Sequence, residues 1–191
     1  MRSIAVWLPI VSVVAIYIGR VIELRTKRET VQGAIPETCT LRLFVLAGTL
    51  MLAGSLVEYC WRGEGLRLDS FLAGWACAVA SFFIRWRAIS ALGKFWSLHV
   101  EIRAGHQFVR SGPFRWMRHP TYFSMILELL LVGLILNVYV TLLAVSFLFV
   151  PTLMRRIQLE EALLADKFGD AYREYQRTTP VLFPYRLPHP K

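Results

Sequence analysis

Apolar residues in this chain fall in long unbroken blocks separated by polar stretches, with neither the stripes of a half-buried helix nor the alternation of a half-buried strand. A block of about 18–20 apolar residues spans a bilayer core of roughly 30 Å as a helix. Five blocks qualify or come close: Ile4 to Ile22, Leu41 to Cys60, Ser70 to Ile89, Tyr122 to Leu136 and Val138 to Met154. Backbone polar groups in hydrocarbon must be satisfied within their own segment, so each block is predicted to be helical. Asn137 interrupts the last two and predicts the turn of a tight helical hairpin. Both hairpin helices are short for a full crossing, which tilting or local thinning accommodates. The expected architecture is all-α: a polytopic membrane protein of about five transmembrane helices, one domain over 1–191. Residues 1–89 supply three N-terminal spans, and 90–191 carry the hairpin 122–154 and a C-terminal helix.

The polar remainder is organised too. The tail reads as helical from about Arg155 into the Tyr175 region. On one continuous helix Glu161, Leu164, Phe168, Tyr172 and Tyr175 share a stripe, with Glu160 beside it. Gly169 is a possible break in that helix, and the run from Thr179 through Pro180 to Pro184 cannot continue it. The 90–120 segment and this tail are together long enough to cap one end of the bundle.

Composition sharpens the assignment. The chain is 55% hydrophobic with a net charge of +9, and its mean hydropathy is +0.47. The basic residues lie between and after the apolar blocks, which suits membrane lipid headgroups, and no zinc-finger or RNA-recognition pattern points to nucleic acid. Lys and Arg gather after the first, third and fifth blocks, so the N-terminus is expected outside and the C-terminus in the cytoplasm. Arg2 and the first apolar run resemble a signal peptide, but Arg20, Glu23, Arg25, Lys27 and Arg28 read as a stop-transfer flank, so a retained first helix is expected. Cys39, Cys60 and Cys77 are isolated and odd in number, which argues against a disulfide framework or a metal site. No two of His99, His106, His119 and His189 have the close spacing of a helical metal pair.

Chemistry concentrates at the two ends of the hairpin. Arg115, Arg118, His119 and Tyr122 precede or open it, while Arg155, Arg156, Glu160 and Glu161 follow it. Polar groups at the edge of hydrocarbon are costly to desolvate and usually functional. Glu128 lies within the fourth block, where a carboxylate must be protonated, paired with another helix or in contact with substrate. Plainer roles also fit: Arg118 and His119 as a snorkelling pair, Tyr122 as an aromatic-belt anchor, and the two glutamates as ion-pair partners of Arg156 or Lys167.

Several segments in order carry a resemblance: Leu92-Gly-Lys-Phe-Trp-Ser97, Gly105-His106, Val109-Arg-Ser-Gly-Pro-Phe114, Arg118-His-Pro-Thr-Tyr122, Glu160-Glu161, Phe168-Gly169, Tyr172 and Tyr175. Over roughly Ile89 to Pro184 the chain resembles the isoprenylcysteine carboxyl methyltransferase family and the wider phospholipid methyltransferase-like membrane enzymes. The resemblance implies S-adenosylmethionine in a cytoplasmic pocket and a lipid-like or prenylated acceptor entering from the bilayer. The Gly-rich strand-turn-helix fingerprint of a Rossmann methyltransferase does not occur. Carried over, His119, Pro120 and Tyr122, with His106, Tyr172 and Tyr175, are expected to contact the cofactor. Arg118 either holds the acceptor carboxylate or anchors its loop. Glu161, ahead of Glu160, either binds the cofactor ammonium or orients Arg118. Arg156, Glu128 and Asn137 are expected on the substrate side, although Asn137 stands one residue out of the family's register.

A cationic methyl donor and an anionic carboxylate lose charge as they react, so a water-poor site holding both in line suits the chemistry. Arginine suits the carboxylate. An amine acceptor would instead give Glu161 a proton to take up. The short tail argues for a small isoprenoid acid, another lipid acid or a lipid amine over a prenylated protein, and for a prokaryotic cytoplasmic membrane. Two rivals remain: an NADPH-dependent sterol-type reductase, whose C-terminal hairpin is similar, and a non-catalytic membrane scaffold.

Overall fold

The computed structural model describes residues 2–25, 33–37, 39–63, 65–93, 96, 100–103 and 108–185. In chain order the elements are α1 (Arg2–Arg25), β1 (Gly33–Glu37), α2 (Cys39–Arg62), α3 (Leu68–Leu92), β2 (Val100–Arg103), a 3-10 turn over Gly112–Arg115, α4 (Pro120–Leu136), α5 (Tyr139–Phe168) and α6 (Asp170–Thr178). Helices α1, α2, α3 and α5 are long and apolar enough to cross a bilayer. Helix α4 has 17 residues, about 25 Å at the α-helical rise and short of the hydrocarbon thickness. The outward faces are apolar, with Val57, Trp61, Val140 and Phe147 exposed. A surface of this kind is suited to lipid as its solvent.

One expectation changes. The hairpin's second helix is not short: α5 runs 30 residues, from Tyr139 through Arg155–Arg156 to Phe168, so the fifth span and the tail helix are one element. Nothing at Met154 interrupts backbone hydrogen bonding; the polar residues that begin at Arg155 change the solvent of the helix, not its fold. The break falls at Gly169, where φ is +55°, and α6 follows. The all-α class holds, with one short two-stranded ribbon beside the helices. β1 and β2 pair antiparallel, with an irregularity between Ala34 and Glu37. Pro36 lies in that interval, and proline, having no N–H to give a ladder, belongs at such a bulge.

Packing fixes the hairpin. α3 lies against α4 so closely that a Cβ on Gly74 would meet Ile135 Cγ1 at 2.5 Å. Ser70 adds a hydrogen bond to the Leu134 carbonyl, 2.7 Å. α2 packs on α5, with Phe44 and Phe149 ring centroids 5.5 Å apart. Where these pairs meet, Met51, Leu131, Val132, Ile135 and Val138 are almost fully buried.

The turn between α4 and α5 is as expected. Asn137 is in the left-handed region, φ 56° and ψ 36°, which asparagine tolerates better than most residues. The start of α5 is capped from another helix: Glu58 of α2 accepts from the N–H groups of Val140, 3.3 Å, and Thr141, 2.7 Å. A helix N-terminus leaves such donors unpaired, and a carboxylate suits its dipole.

Candidate active site

At the opposite end of the hairpin the chain folds back on itself. The N–H groups of Arg118 and His119 donate to the carbonyls of Pro180 and Val181, at 2.8 and 3.0 Å. The tail after α6 is thereby laced to the loop before α4. Pro120 opens α4 at a position where a missing N–H costs nothing.

Arg118 is the keystone of this end, with its side chain only 8% exposed. Its Nε donates to Glu161 Oε1 at 2.6 Å, and one terminal nitrogen donates to the carbonyls of Gln176 and Thr179. One residue thus joins α5, α6 and the α4 entry. Of the two expected roles, the geometry favours the anchor; a guanidinium so engaged cannot offer a bidentate fork to an acceptor. Glu161 is equally committed: Oε1 also meets His119 Nε2 at 3.1 Å, and Oε2 accepts from Gln176 Nε2 at 3.2 Å.

Glu160 is placed differently. Its Oε2 accepts from the Tyr122 hydroxyl at 2.5 Å and lies 3.9 Å from His119 Nδ1, with the side chain 36% exposed. Oε1 has no hydrogen bond to a described residue. The Tyr122 hydroxyl in turn accepts from Arg156 Nε at 3.0 Å, and Arg156 also donates to Thr40 Oγ1 at 3.0 Å. Arg156 therefore fixes which way the phenol proton points, towards Glu160. The His119 and Tyr122 rings stack, 5.4 Å apart and 18° from parallel.

Tyr172 and Tyr175 reach the site across the Gly169 break, so the single continuous stripe is replaced by two helices meeting at an angle. Both phenols are buried among aromatics, with Phe108 5.5 and 5.2 Å from their ring centres. Tyr175 donates to the Phe114 carbonyl at 2.6 Å. Burial pushes both phenols well above the usual tyrosine range. Nearby Glu161 and Glu160 push Tyr172 further, while Arg118 and Arg110 oppose the rise at Tyr175.

The structure thus gathers Arg118, His119, Pro120, Tyr122, Arg156, Glu160, Glu161, Tyr172 and Tyr175 at one end of the bundle. His106 lies outside the described residues, as do parts of the 90–120 segment expected in the cap. Asn137 is not brought here; it sits at the other end of α4, where it forms the turn. Glu128 is also elsewhere, in a second polar cluster that sequence reading did not assemble. It pairs with Arg20 of α1, which also pairs with Glu23, and it accepts from Ser81 of α3 at 2.9 Å. Arg85 of α3 donates to Ser124 at 3.2 Å and lies 3.6 Å from Glu23. Arg20, Glu23 and Arg85 read in sequence as charges near the ends of spans, with nothing in the pattern that pairs them.

Beside that cluster is a cavity of about 140 Å³ between α1, α2, α4 and α5, lined among others by Tyr17, Arg20, Phe44, Met125, Glu128 and Phe149. Phe44 also lies under the Arg156 guanidinium, 5.8 Å from it, so the cavity and the Arg156–Tyr122–Glu160 line share a wall. Among the described residues no group of three or more His, Cys, Asp or Glu is placed to hold a metal ion.

Comparison with known proteins supports the resemblance over this region. Residues 74–166 match the model of the Isoprenylcysteine carboxyl methyltransferase (ICMT) family. "Uncharacterized protein YpbQ" of Bacillus subtilis (strain 168) is 33% identical over 99 residues, 51% of this chain and 59% of the relative. "Cobalt-zinc-cadmium resistance protein CzcN" of Cupriavidus metallidurans is 29% identical over 98 residues, covering 51% and 45%. "Protein-S-isoprenylcysteine O-methyltransferase" of Schizosaccharomyces pombe is 32% identical over 104 residues, covering 53% and 44%. The chain spans about half the length of the curated relatives it matches.

Proposed function

We propose, taking residues 74–166 as a segment of the isoprenylcysteine carboxyl methyltransferase family, that the chain transfers a methyl group from S-adenosylmethionine to a carboxylate on a lipid-like acceptor, such as an S-prenylated cysteine, that enters from the bilayer. The site end of the bundle then faces the cytoplasm, with the N-terminus outside, the orientation that the distribution of Lys and Arg favours.

The observation that carries this reading is the pairing of an unspent carboxylate with an aromatic wall, joined through Arg156 and Phe44 to a largely apolar cavity. Glu160 Oε1 is without a hydrogen bond to a described residue, on a side chain 36% exposed. Beside it stand the stacked His119 and Tyr122 rings. This donor set fits the cofactor: an ammonium and a sulfonium ask for an anionic oxygen and a π face, and an adenine asks for a flat apolar slot. When bound, S-adenosylmethionine supplies an electrophilic methyl group on a cationic sulfur.

The chain's own residues do the rest. Glu160 binds the cofactor's positive charge. Tyr122, its proton aimed at Glu160 by Arg156, holds that carboxylate in place. Of its two expected roles Glu161 takes the second, as a positioning residue that orients Arg118, since both its oxygens serve Arg118, His119 and Gln176. Arg118 keeps α6 and the tail closed over the site, which excludes water where charge is lost. Arg156, over Phe44 of the cavity wall and bonded to Tyr122, is the cation at the site end that draws in an acceptor carboxylate.

The test is transfer of labelled methyl from S-adenosylmethionine to a small S-prenylated cysteine by protein in detergent. The expected product is a base-labile ester. Label that resists base, or no transfer to any lipid acid or amine, would count against a carboxyl acceptor.

A further inference from the structure

The cavity between α1, α2, α4 and α5 is an odd container for a pure hydrocarbon. Much of its wall is apolar, but Arg20 and Glu128 also line it. Charged groups at such depth are expensive and are functional by default. The four charges of the cluster, Arg20 and Arg85 against Glu23 and Glu128, balance, so a further ion would upset them. Three polar atoms of the cluster nevertheless lack a described hydrogen-bond partner, and one of them is accessible. Arg20 Nε and Arg85 Nε are buried without a hydrogen-bond partner and closed to a ligand. Glu128 directs every hydrogen bond and ion pair it makes through Oε1, which leaves Oε2 without a described partner on a side chain 25% exposed. On the cavity wall the accessible position is therefore an acceptor, Glu128 Oε2, on a carboxylate held by Arg20, which matches a neutral group that donates.

Size and depth narrow the ligand. A cavity of about 140 Å³ takes about six carbons, by comparison with an engineered cavity that holds benzene. A whole long chain would have to continue into the bilayer. Glu128 follows Tyr122 by six residues on α4, about 9 Å along the helix axis.

We propose that this cavity is a specificity subsite in which Glu128, held by Arg20, reads a neutral hydroxyl or amide N–H carried on the acceptor's apolar chain, some 9 Å from the Tyr122 level. The assignment rests on the proposed methyl transfer only in naming the ligand as the acceptor. An acceptor lacking such a group leaves Glu128 Oε2 unpaired and is discriminated against by about tenfold or more.

The experiment is calorimetric binding of three chain-matched probes to the full chain in detergent: octanoate, its 8-hydroxy derivative and the acid with a terminal amide. The wild type should bind a hydroxyl or amide probe at least tenfold more tightly than octanoate, and the better of the two identifies the group. Arg20→Met/Glu128→Leu, a volume-matched double change that avoids leaving one charge alone, should erase the preference. Gly48→Leu is the second variant: Gly48 lines the cavity and a Cβ there meets no atom within 4 Å. It should block the favoured probe while S-adenosylhomocysteine binding stays unchanged. Equal binding of all three probes by the wild type, or a preference that survives either variant, overturns the subsite. Loss of S-adenosylhomocysteine binding in the wild type with the probe preference intact would sink the proposed methyl transfer and leave the subsite standing.

Discussion

Arg118→Met removes the residue on which the closed end of the bundle depends. The guanidinium is nearly buried, at 8% exposure, and sits 2.6 Å from Glu161. It also satisfies the carbonyls of Gln176 and Thr179, one in the last turn of α6 and one just after it. Removing one partner of a buried pair costs about 3–5 kcal/mol, because the other charge is left uncompensated. Glu161 would retain His119 and Gln176, which puts the loss near the lower end, about 3 kcal/mol. For a chain of this size that corresponds to a fall of about 6–12 °C in melting temperature. The loss should also be local, since α4 and α5 stay packed by their apolar faces while α6 loses two of its ties. The assay is thermal unfolding in detergent combined with trypsin cleavage at Arg173 and Arg177 of α6. Cleavage there should accelerate well below the melting transition. A melt within about 2 °C of wild type, with α6 as resistant as before, would refute the keystone role. Pairing the change with Glu161→Leu should restore part of the lost stability, as expected when both charges of a buried pair are removed together.

Three further outcomes follow from the same geometry. Glu160→Gln should weaken S-adenosylhomocysteine binding about tenfold with little change in melting, whereas Glu161→Gln should lower both; calorimetry beside a melt separates them, and equal binding losses without a melting change would undo the division of labour. Gly74→Ala should destabilise the α3–α4 contact by about 1–3 kcal/mol, because the new methyl meets Ile135 at 2.5 Å; a neutral melt would mean the two helices can separate freely. Glu58→Ala should cost about 0.5–2 kcal/mol by uncapping α5, yet leave cofactor binding untouched since it acts at the Asn137 end; a binding loss would contradict the separation of the two ends.

The apolar blocks made the helices legible because hydrocarbon leaves the backbone few alternatives. Asn137 announced the hairpin by interrupting an apolar run. The end of α5 was not legible in the same way: Arg155 and Arg156 mark where a helix leaves lipid, and hydropathy registers that exit as though the helix had stopped. The β1–β2 pair was invisible because strands of five and four residues fall between signals built on longer periods. The sequence placed Arg118, His119, Tyr122 and both glutamates in one site; the proposed function reverses the order it gave the glutamates. A helical stripe identifies the residue facing inward, Glu161, and the inward residue is the one whose oxygens are consumed by the fold. The Arg20–Glu128 cluster was missed because its members lie on three helices, and pairing across helices has no local sequence signature.

Calorimetric binding of S-adenosylhomocysteine to the detergent-purified chain, with NADPH as the parallel ligand, tests the central claim most directly. The account predicts saturable binding of S-adenosylhomocysteine, weakened in Glu160→Gln and lost in His119→Ala, and no binding of NADPH. Binding of NADPH alone, or of neither ligand by protein with an intact melting transition, would contradict it.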